Sequence, residues 1–274
     1  MTDSTCEILR PMAFARRGNL IAIASGKGGV GKTWLAVSLA HAMARAGRRT
    51  LLFDGDLGLA NVDIQLGLMP QDDVGGVLAG RLTLPQASTP FAENLDIIAG
   101  RSGSGRLGSA PVSRLQHLCQ ELVGMSRDYD LVLLDLGGGV EQTVRQFAQT
   151  VDTCLVVVTD EPTSLTDAYA FIKVAHADRP DADLRVVVNI AASRGDGERT
   201  YATLLKACQG FLKISPPLLG VIRRDVRVSD SIRQQTSIMT RSPRSAAACD
   251  INAVALRLLA ETPGRKRLVG REQT

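Results

Sequence analysis

Short apolar runs alternate with longer segments of mixed polarity along most of this chain. The runs are nearly continuous rather than alternating, which is typical of strands whose two faces are both covered by helices. They predict strands at Leu20–Ala24, Thr50–Phe53, Leu95–Ala99, Leu131–Leu134, Cys154–Val158, Val186–Asn189 and Leu218–Ile222.

The mixed segments between these runs predict helices. The clearest covers Trp34–Ala46, since Gly47 follows it and glycine commonly ends a helix. The others cover Ser113–Met125, Gln142–Thr150, Ser164–Ala177, Tyr201–Phe211, Val228–Gln235 and Ile251–Ala260. Strands that alternate with helices predict an α/β fold, with a doubly wound, mainly parallel sheet of about seven to eight strands flanked by helices.

Both ends of the chain fall outside this alternation. Residues 1–18 are irregular and contain Pro11, while residues 261–274 contain Pro263 and several basic side chains. We therefore predict a flexible N-terminal segment (1–18), a single domain (19–260) and a basic C-terminal tail (261–274). The Gly- and Ser-rich stretch Arg101–Pro111 predicts a flexible surface loop.

The composition is that of an ordinary soluble globular protein, with 45% hydrophobic and 22% charged residues in 274. The formal charge of +4 permits contact with acidic surfaces without requiring it. An aromatic content of 4% argues against nucleic-acid binding by base stacking. No run approaches about 20 apolar residues and no signal peptide is visible. We expect a cytoplasmic protein, with peripheral contact at the inner face of the plasma membrane as the alternative.

The segment Gly26–Thr33 reads GKGGVGKT and fits the phosphate-binding pattern G-x-x-x-x-G-K-[ST]. It lies where that pattern requires, after one predicted strand and at the start of the clearest helix. Glycines let backbone N–H groups turn toward phosphate oxygens, and the helix N-terminus adds donors. We expect Lys32 to contact the β- and γ-phosphates and the Thr33 hydroxyl to ligate Mg²⁺. The segment thus predicts a site for ATP or ADP with Mg²⁺, formed by Gly26, Lys27, Gly28, Gly29, Val30, Gly31, Lys32 and Thr33.

Acidic residues stand at the ends of two predicted strands. Asp54 and Asp56 end the second strand, and Asp135 ends the run Leu131–Leu134. Ligands bind at the carboxyl ends of parallel strands, where a metal ion gives ionised oxygens a role. We expect Asp135 to hold Mg²⁺ through water, because Mg²⁺ dehydrates reluctantly. In the glycine turn that follows, we expect the Gly139 N–H to meet the γ-phosphate and sense ATP against ADP.

The second lysine of the loop, Lys27, makes the segment resemble the deviant Walker A group of P-loop ATPases, which includes the MinD, ParA and nitrogenase iron protein families. In that group this lysine reaches across an ATP-bridged dimer to the nucleotide of the partner subunit. The resemblance therefore implies that Lys27 stabilises phosphate charge in trans, as an arginine finger does.

The same resemblance implies further roles. Asp54 assists the metal shell beside Thr33 and Asp135, and Asp56 positions the attacking water. Asn189, at the end of a predicted strand, reads the adenine edge by donor–acceptor pairing. The implied catalytic residues are Lys27, Asp56 and Lys32.

Three stretches make the chain resemble the FlhG family, MinD-like ATPases that control the number and placement of bacterial flagella. They are Asp54–Leu68, Asp160–Lys173 and Arg224–Gln235. The resemblance implies a slow ATP hydrolase that is a monomer with ADP and a homodimer with ATP. It also implies a flagellar GTPase, or a basal-body or regulatory protein of the flagellum, as a partner.

Both termini depart from that family. Pro11 limits the N-terminal helix with which family members stimulate the flagellar GTPase. After Pro263 only Leu268 and Val269 are apolar, and burying both gives about 3–6 kcal/mol at best. We therefore expect weak peripheral membrane contact and poor stimulation of the GTPase.

Other functions of the same fold are alternatives. A ParA-like positioner of cargo or chromosomes would bind DNA non-specifically, through a basic face. An iron–sulfur member is disfavoured because the five cysteines include no CxxC pair. A protein that binds nucleotide without hydrolysing it is disfavoured by the three intact aspartates. The basic face would consist of Arg223, Arg224, Arg227, Arg233, Arg241 and Arg244.

Overall fold

The computed structural model describes residues 18–100 and 111–261. The expected N-terminal segment, the basic tail and the loop predicted at Arg101–Pro111 lie almost wholly outside these ranges, and the domain bounds stay a prediction. Within the described ranges one eight-stranded sheet has the order β3-β4-β2-β5-β1-β6-β7-β8. The strands are β1 Leu20–Ser25, β2 Thr50–Gly55, β3 Ser88–Ala92, β4 Leu95–Ile98, β5 Leu131–Gly138, β6 Thr153–Val158, β7 Asp183–Ala191 and β8 Leu218–Arg223.

All neighbouring strands in the sheet are parallel except β3 and β4. Each predicted strand is confirmed, and β3 is the one that the sequence pattern missed. No residue of β3 is buried, and Pro90 interrupts it. Proline is tolerated in an edge strand, which needs hydrogen bonds on one side only. Because none of its residues is buried, β3 lacks the apolar run that marks the other strands, including β8 at the opposite edge.

The helices of the described ranges surround this sheet. The predicted ones are confirmed, but α10 begins at Ala246 rather than at Ile251, and α7 begins at Arg194 rather than at Tyr201. There the Ser193 hydroxyl accepts the Asp196 N–H at 3.1 Å and caps the helix. The short helices α2, α3 and α9 were not predicted, since four or five residues show no period. The bounds are α1 Lys32–Arg45, α2 Val62–Leu66, α3 Val74–Leu78, α4 Val112–Met125, α5 Gln142–Thr150, α6 Pro162–Asp178, α7 Arg194–Ala207, α8 Val226–Arg233, α9 Ile238–Arg241 and α10 Ala246–Glu261.

The two faces of the sheet carry separate apolar cores. Alternate residues of a strand point to opposite faces. Accordingly Ala22 of β1 packs in a core with α4, α5, α6 and α7, while Ile23 packs in a core with α1, α2, α9 and α10. Helices therefore cover both faces, which confirms the doubly wound fold. None of the helices in the part of the chain that the structure describes combines the length and hydropathy needed to span a bilayer.

The strand order determines where a ligand can bind. β2, β5 and β1 are neighbours at the centre of the sheet, and their carboxyl ends meet at one edge. Ile23 of β1 and Asp54 of β2 are each the register partner of Asp135 on β5. Later strands of the chain lie on both sides of β1. The place where the strand order reverses is the topological switch point, at which such sheets bind ligands. The predicted phosphate-binding loop and aspartates therefore converge there.

Candidate functional site

The loop Gly26–Thr33 connects β1 to the start of α1. Gly29 and Gly31 adopt φ angles of 82° and 88°, a region that residues with a Cβ rarely enter. A Cβ on Gly31 would also lie 2.5 Å from the Nδ2 atom of Asn189. The glycine at this position is therefore required by the backbone conformation and by a close neighbour.

Asn189, at the end of β7, contacts this loop and helps to hold it in place. Its side chain is buried, and Nδ2 donates a hydrogen bond of 2.8 Å to the carbonyl oxygen of Val30. The bond ties the loop to a strand 159 positions away in sequence. Sequence reasoning missed this supporting contact. The role in reading adenine stays a prediction.

Lys32 is buried beneath the loop. Its Nζ donates to the Ser25 hydroxyl at 2.9 Å, and that hydroxyl donates to the Lys27 carbonyl at 2.5 Å. Burial lowers the pKa of Lys32, while attraction to Asp135 and Asp56 opposes the shift. Ser25 thus holds the amine in the loop, a role that no sequence pattern indicated beyond its place before Gly26.

Asp54 and Asp135 lie side by side at the ends of β2 and β5, and both are buried. Burial raises the pKa of Asp54 to about 7, although N–H groups of Val62, Asp56 and Asn61 donate to it. The bonds from Asn61 and Val62 are each 3.0 Å, so Asp54 also fixes the start of α2. Asp54 is therefore an anchor of the segment after β2 as well as a candidate metal neighbour.

Asp135 has the character of a cation ligand. Burial raises its pKa well above the usual range, the neighbouring Asp54 adds to the shift, and a hydrogen bond from Thr33 opposes it. The Oδ1 atom of Asp135 is buried and has no hydrogen-bond partner among the described residues. A divalent cation would balance this charge and use this oxygen.

The donor set fits Mg²⁺. Across residues 18–100 and 111–261 no cluster of three or more His, Cys, Asp or Glu side chains is placed to hold a metal. Mg²⁺ needs no such cage, because it keeps waters and commonly binds one or two carboxylates together with substrate phosphates. Thr33, Asp54 and Asp135 supply that minimal set of oxygens.

Asp56 lies nearer to solvent, where a water molecule has access. Its Oδ1 accepts the N–H groups of Leu59 at 2.9 Å and Gly58 at 3.3 Å. A Cβ built on Gly137 would be 3.5 Å from the Asp56 carboxyl carbon, so the carboxylate faces the turn after β5. Asp56 is thus held beside the cleft through its Oδ1 atom, and its other carboxylate oxygen is less constrained.

Lys27 is held within its own chain. Its Nζ forms an ion pair of 2.7 Å with Glu161 and donates to the Thr163 hydroxyl at 3.0 Å. Both acceptors lie at the N-terminal end of α6, in the stretch Asp160–Lys173 that resembles the FlhG family. The partner of Lys27 in this conformation was not predicted. Its role across a dimer stays a prediction.

The turn after β5 packs directly on the phosphate-binding loop. A Cβ on Gly138 would lie 2.7 Å from the Gly28 nitrogen, and the Gly139 N–H donates to the Ser25 carbonyl at 2.9 Å. In this conformation the Gly139 donor is therefore engaged, and a bond to a γ-phosphate requires the turn to move. The sensing role stays a prediction.

Part of this site, including Lys32, Thr33 and Asp56, lines an open cleft of about 750 Å³. That size lies within the range of small-molecule sites, about 300–1,000 Å³. Residues 28, 29 and 31–33 of the phosphate-binding loop form one wall, and the segments at the ends of β2 and β5 form another. Helices α2 and α8 contribute side chains such as Ile64 and Ile232. The cleft can accept a nucleoside triphosphate with its phosphates at the N-terminus of α1.

The arginines proposed as a basic face are partly neutralised. Arg223 donates to both oxygens of the buried Asp250, at 2.8 and 3.0 Å. Arg233 forms an ion pair with Asp230 at 3.3 Å. No observation on these residues therefore favours the DNA-binding alternative.

Comparison with known proteins agrees with this geometry. Residues 21–238 match the CobQ/CobB/MinD/ParA nucleotide binding domain. The antiactivator FleN of Pseudomonas aeruginosa is 37% identical over 249 residues, 90% of this chain and 88% of that protein. The flagellum site-determining protein YlxH of Helicobacter pylori is 29% identical over 92% of this chain and 87% of that protein.

Solved structures show the same fold. The septum site-determining protein MinD of Pyrococcus horikoshii, solved with Mg-ADP, superposes with a TM-score of 0.76 at 25% identity. The match covers 89% of this chain and 97% of that one. The resemblance to flagellar MinD-like ATPases predicted from the sequence is thus confirmed.

Proposed function

Because the chain belongs to the CobQ/CobB/MinD/ParA nucleotide-binding family, we propose that it is an ATPase that switches between an ADP-bound monomer and an ATP-bridged homodimer. We propose further that this switch regulates the placement and number of flagella. The observation that carries the proposal is the attraction of Lys32 to both Asp135 and Asp56, beside a cleft that Lys32 and Asp56 line at the start of α1.

The residues in and beside the cleft have separate roles in ATP hydrolysis. Lys32 neutralises the β- and γ-phosphates, and the N-terminus of α1 donates backbone N–H groups to them. Asp56 orients a water for attack on the γ-phosphorus, so that the bond to the β,γ-bridging oxygen breaks and ADP and phosphate form. Thr33 and Asp135 would hold Mg²⁺, which would neutralise charge on the phosphate oxygens.

The dimer switch is supported by Lys27. The amine is paired with Glu161, and the two side chains are 28% and 61% exposed. An exposed ion pair is weak, about 0–1 kcal/mol, so a phosphate presented by a second subunit can compete for this lysine. We propose slow turnover, because the active site is complete only when two subunits have associated.

The flagellar role is supported by the names of two relatives, an antiactivator and a flagellum site-determining protein. By the same reasoning we propose partners among flagellar regulatory or basal-body proteins or a flagellar GTPase. We propose that the protein acts in the cytoplasm, with weak peripheral contact at the membrane.

The biochemical test compares Lys32→Ala, Asp56→Ala and Asp72→Ala, the last a control at an exposed carboxylate. Lys32→Ala should lose ATP binding in calorimetry. Asp56→Ala should bind ATP, release almost no phosphate and accumulate a dimer in size-exclusion chromatography. Asp72→Ala should match the parent. Normal hydrolysis by Asp56→Ala would refute the assigned water-positioning role.

The cellular test is deletion of the gene, with flagella counted and located by electron microscopy. The proposal expects altered number or position, restored by the parent gene and not by Asp56→Ala. Unchanged flagella would refute the flagellar role, but the ATPase assignment does not depend on this result. Salt-sensitive DNA binding by the ATP-bound protein would instead support the ParA-like alternative.

A further inference from the structure

Helix α7 is followed by a single π-helical turn, Cys208–Leu212, that presents one aromatic side chain to solvent. Phe211 is 80% exposed, and among the exposed large apolar side chains of residues 18–100 and 111–261 it is the only aromatic one. The turn itself is anchored, because Cys208 is fully buried and Leu212 packs against the core. Single π-helical turns are rare and frequently occur at functional sites. The exposure of Phe211 therefore belongs to an ordered turn and does not result from a frayed helix end.

A second aromatic ring extends this surface onto α6. The ring of Tyr169 meets that of Phe211 edge to face, with the ring centroids 6.4 Å apart. Tyr169 is partly buried against the core, so it supports the exposed ring from one side. Neither ring lines the open cleft, and α7 leads away from the carboxyl ends of the strands over a length of about 20 Å. Contact at Phe211 would therefore leave the nucleotide site open.

Lysines accompany both rings. Lys206 lies about one turn before Phe211, and Lys213 follows Phe211 by two positions. Lys173 follows Tyr169 by four positions and so lies on the same face of α6. All three lysines are exposed, and none of them forms an ion pair within the described part of the chain. The segment from the middle of α7 to the start of β8 contains no acidic residue. This surface therefore combines exposed aromatic area with positive charge that no neighbouring carboxylate neutralises.

We propose that this patch, which consists of Phe211 and Tyr169 with Lys173, Lys206 and Lys213, docks on an anionic lipid bilayer and inserts Phe211 among the headgroups. Apolar side chains at a bilayer surface enter the boundary between headgroups and acyl chains, and basic side chains beside them attract anionic lipids. The inference rests on the peripheral membrane contact proposed above and identifies the surface that makes it. One inserted ring and three lysines form a weak and reversible contact.

The type of basic residue favours lipid over an acidic segment of another protein. Only six of the 32 basic residues Lys and Arg are lysines, and three of those six lie in this patch. A guanidinium binds a carboxylate in a fixed planar geometry, as in the pair of Arg145 with Asp178. A lysine is a flexible point charge whose stem lies along apolar surface while its ammonium group reaches outward. Lipid headgroups impose no fixed geometry, so lysines beside a protruding ring suit a bilayer.

The test measures sedimentation of the full chain with vesicles of phosphatidylcholine and phosphatidylglycerol in equal amounts, and with vesicles of phosphatidylcholine alone. We expect weak binding to the anionic vesicles only. Phe211→Ser should bind about tenfold more weakly, because the transfer of one aromatic side chain out of water is lost. Lys206→Gln and Lys213→Gln should each bind about fivefold more weakly. Leu256→Ser is the matched control and should bind like the parent, because Leu256 is 64% exposed but lies on α10, over the other face of the sheet.

Phe211→Trp reports insertion directly. The native tryptophan, Trp34, is buried, so the added exposed indole dominates any change in emission on vesicles. That emission should shift to the blue and be quenched by lipids brominated on the acyl chains. Parent-like binding of Phe211→Ser, an equal loss in Leu256→Ser, or an unshifted emission of Phe211→Trp would overturn the assignment of this surface alone. An unaltered chain that ignores anionic vesicles would overturn the membrane contact as well, and loss of a protein partner by Phe211→Ser would then assign the patch to protein recognition.

Discussion

Alanine substitutions at three glycines of the phosphate-binding loop should have graded effects on the free energy of unfolding. Gly28 has an ordinary φ and no atom within 4 Å of a built Cβ. Gly29 has a φ of 82° and open space, and Gly31 has a φ of 88° with the Asn189 amide 2.5 Å from its built Cβ. The series therefore separates backbone strain from steric conflict.

The magnitudes follow from these geometries. A left-handed conformation costs a residue with a Cβ about 1–2 kcal/mol, which is the whole effect expected at Gly29. At Gly31 the added methyl also displaces Asn189, whose 2.8 Å bond to the Val30 carbonyl is buried. Losing that bond costs about 1–3 kcal/mol more. We expect Gly31→Ala to lose about 2–5 kcal/mol, while Gly28→Ala should stay within about 1 kcal/mol of the parent.

Urea unfolding of the nucleotide-free proteins, followed by circular dichroism, measures the series. Nucleotide must be omitted, because alanine at any of the three positions also intrudes on the phosphate cradle. Equal midpoints for Gly28→Ala and Gly31→Ala would refute the claim that Asn189 and the backbone together require glycine at position 31.

Other perturbations test the remaining contacts. Lys27→Ala should keep ATP binding but lose ATP-dependent dimerisation in size-exclusion chromatography, and a full dimer would disprove its action in trans. Asp250→Asn should destabilise the fold by about 1–3 kcal/mol at pH 7, since the amide keeps one acceptor oxygen but offers Arg223 neither the second acceptor nor the negative charge. Burial alone would raise the pKa of Asp250, but the hydrogen bonds from Arg223 and Arg194 lower it. The stabilisation is thus present above the unfolded pKa of about 4 and is lost as pH falls through the folded value, so urea midpoints of parent and variant should converge at low pH. Liposome sedimentation with ATP should be weak and salt-sensitive with or without residues 262–274, and strong, salt-resistant, tail-dependent binding would reveal a membrane helix there.

Local patterns in the sequence were enough to predict the fold class and the centre of the site. Each strand buried on both faces appears as an apolar run. The glycine pattern of Gly26–Thr33 indicates phosphate binding because a strand precedes it and a helix follows it. Asp54 and Asp135 were predictable for the same reason, since parallel strands bring their carboxyl ends to one edge.

The tertiary structure decided what depends on distant partners. The pairs Lys27 with Glu161 and Asn189 with Val30 are 134 and 159 positions apart. No local periodicity indicates such contacts, and strand β3 lacks the apolar signal because none of its residues is buried. The sequence shows an indole in the first turn of α1, but only packing shows that Trp34 is buried and that its Nε1 has no hydrogen-bond partner among the described residues. The sequence specifies the chemistry of each side chain. The burial and the neighbouring groups that determine the energy of a polar side chain arise only when the sheet brings remote segments together.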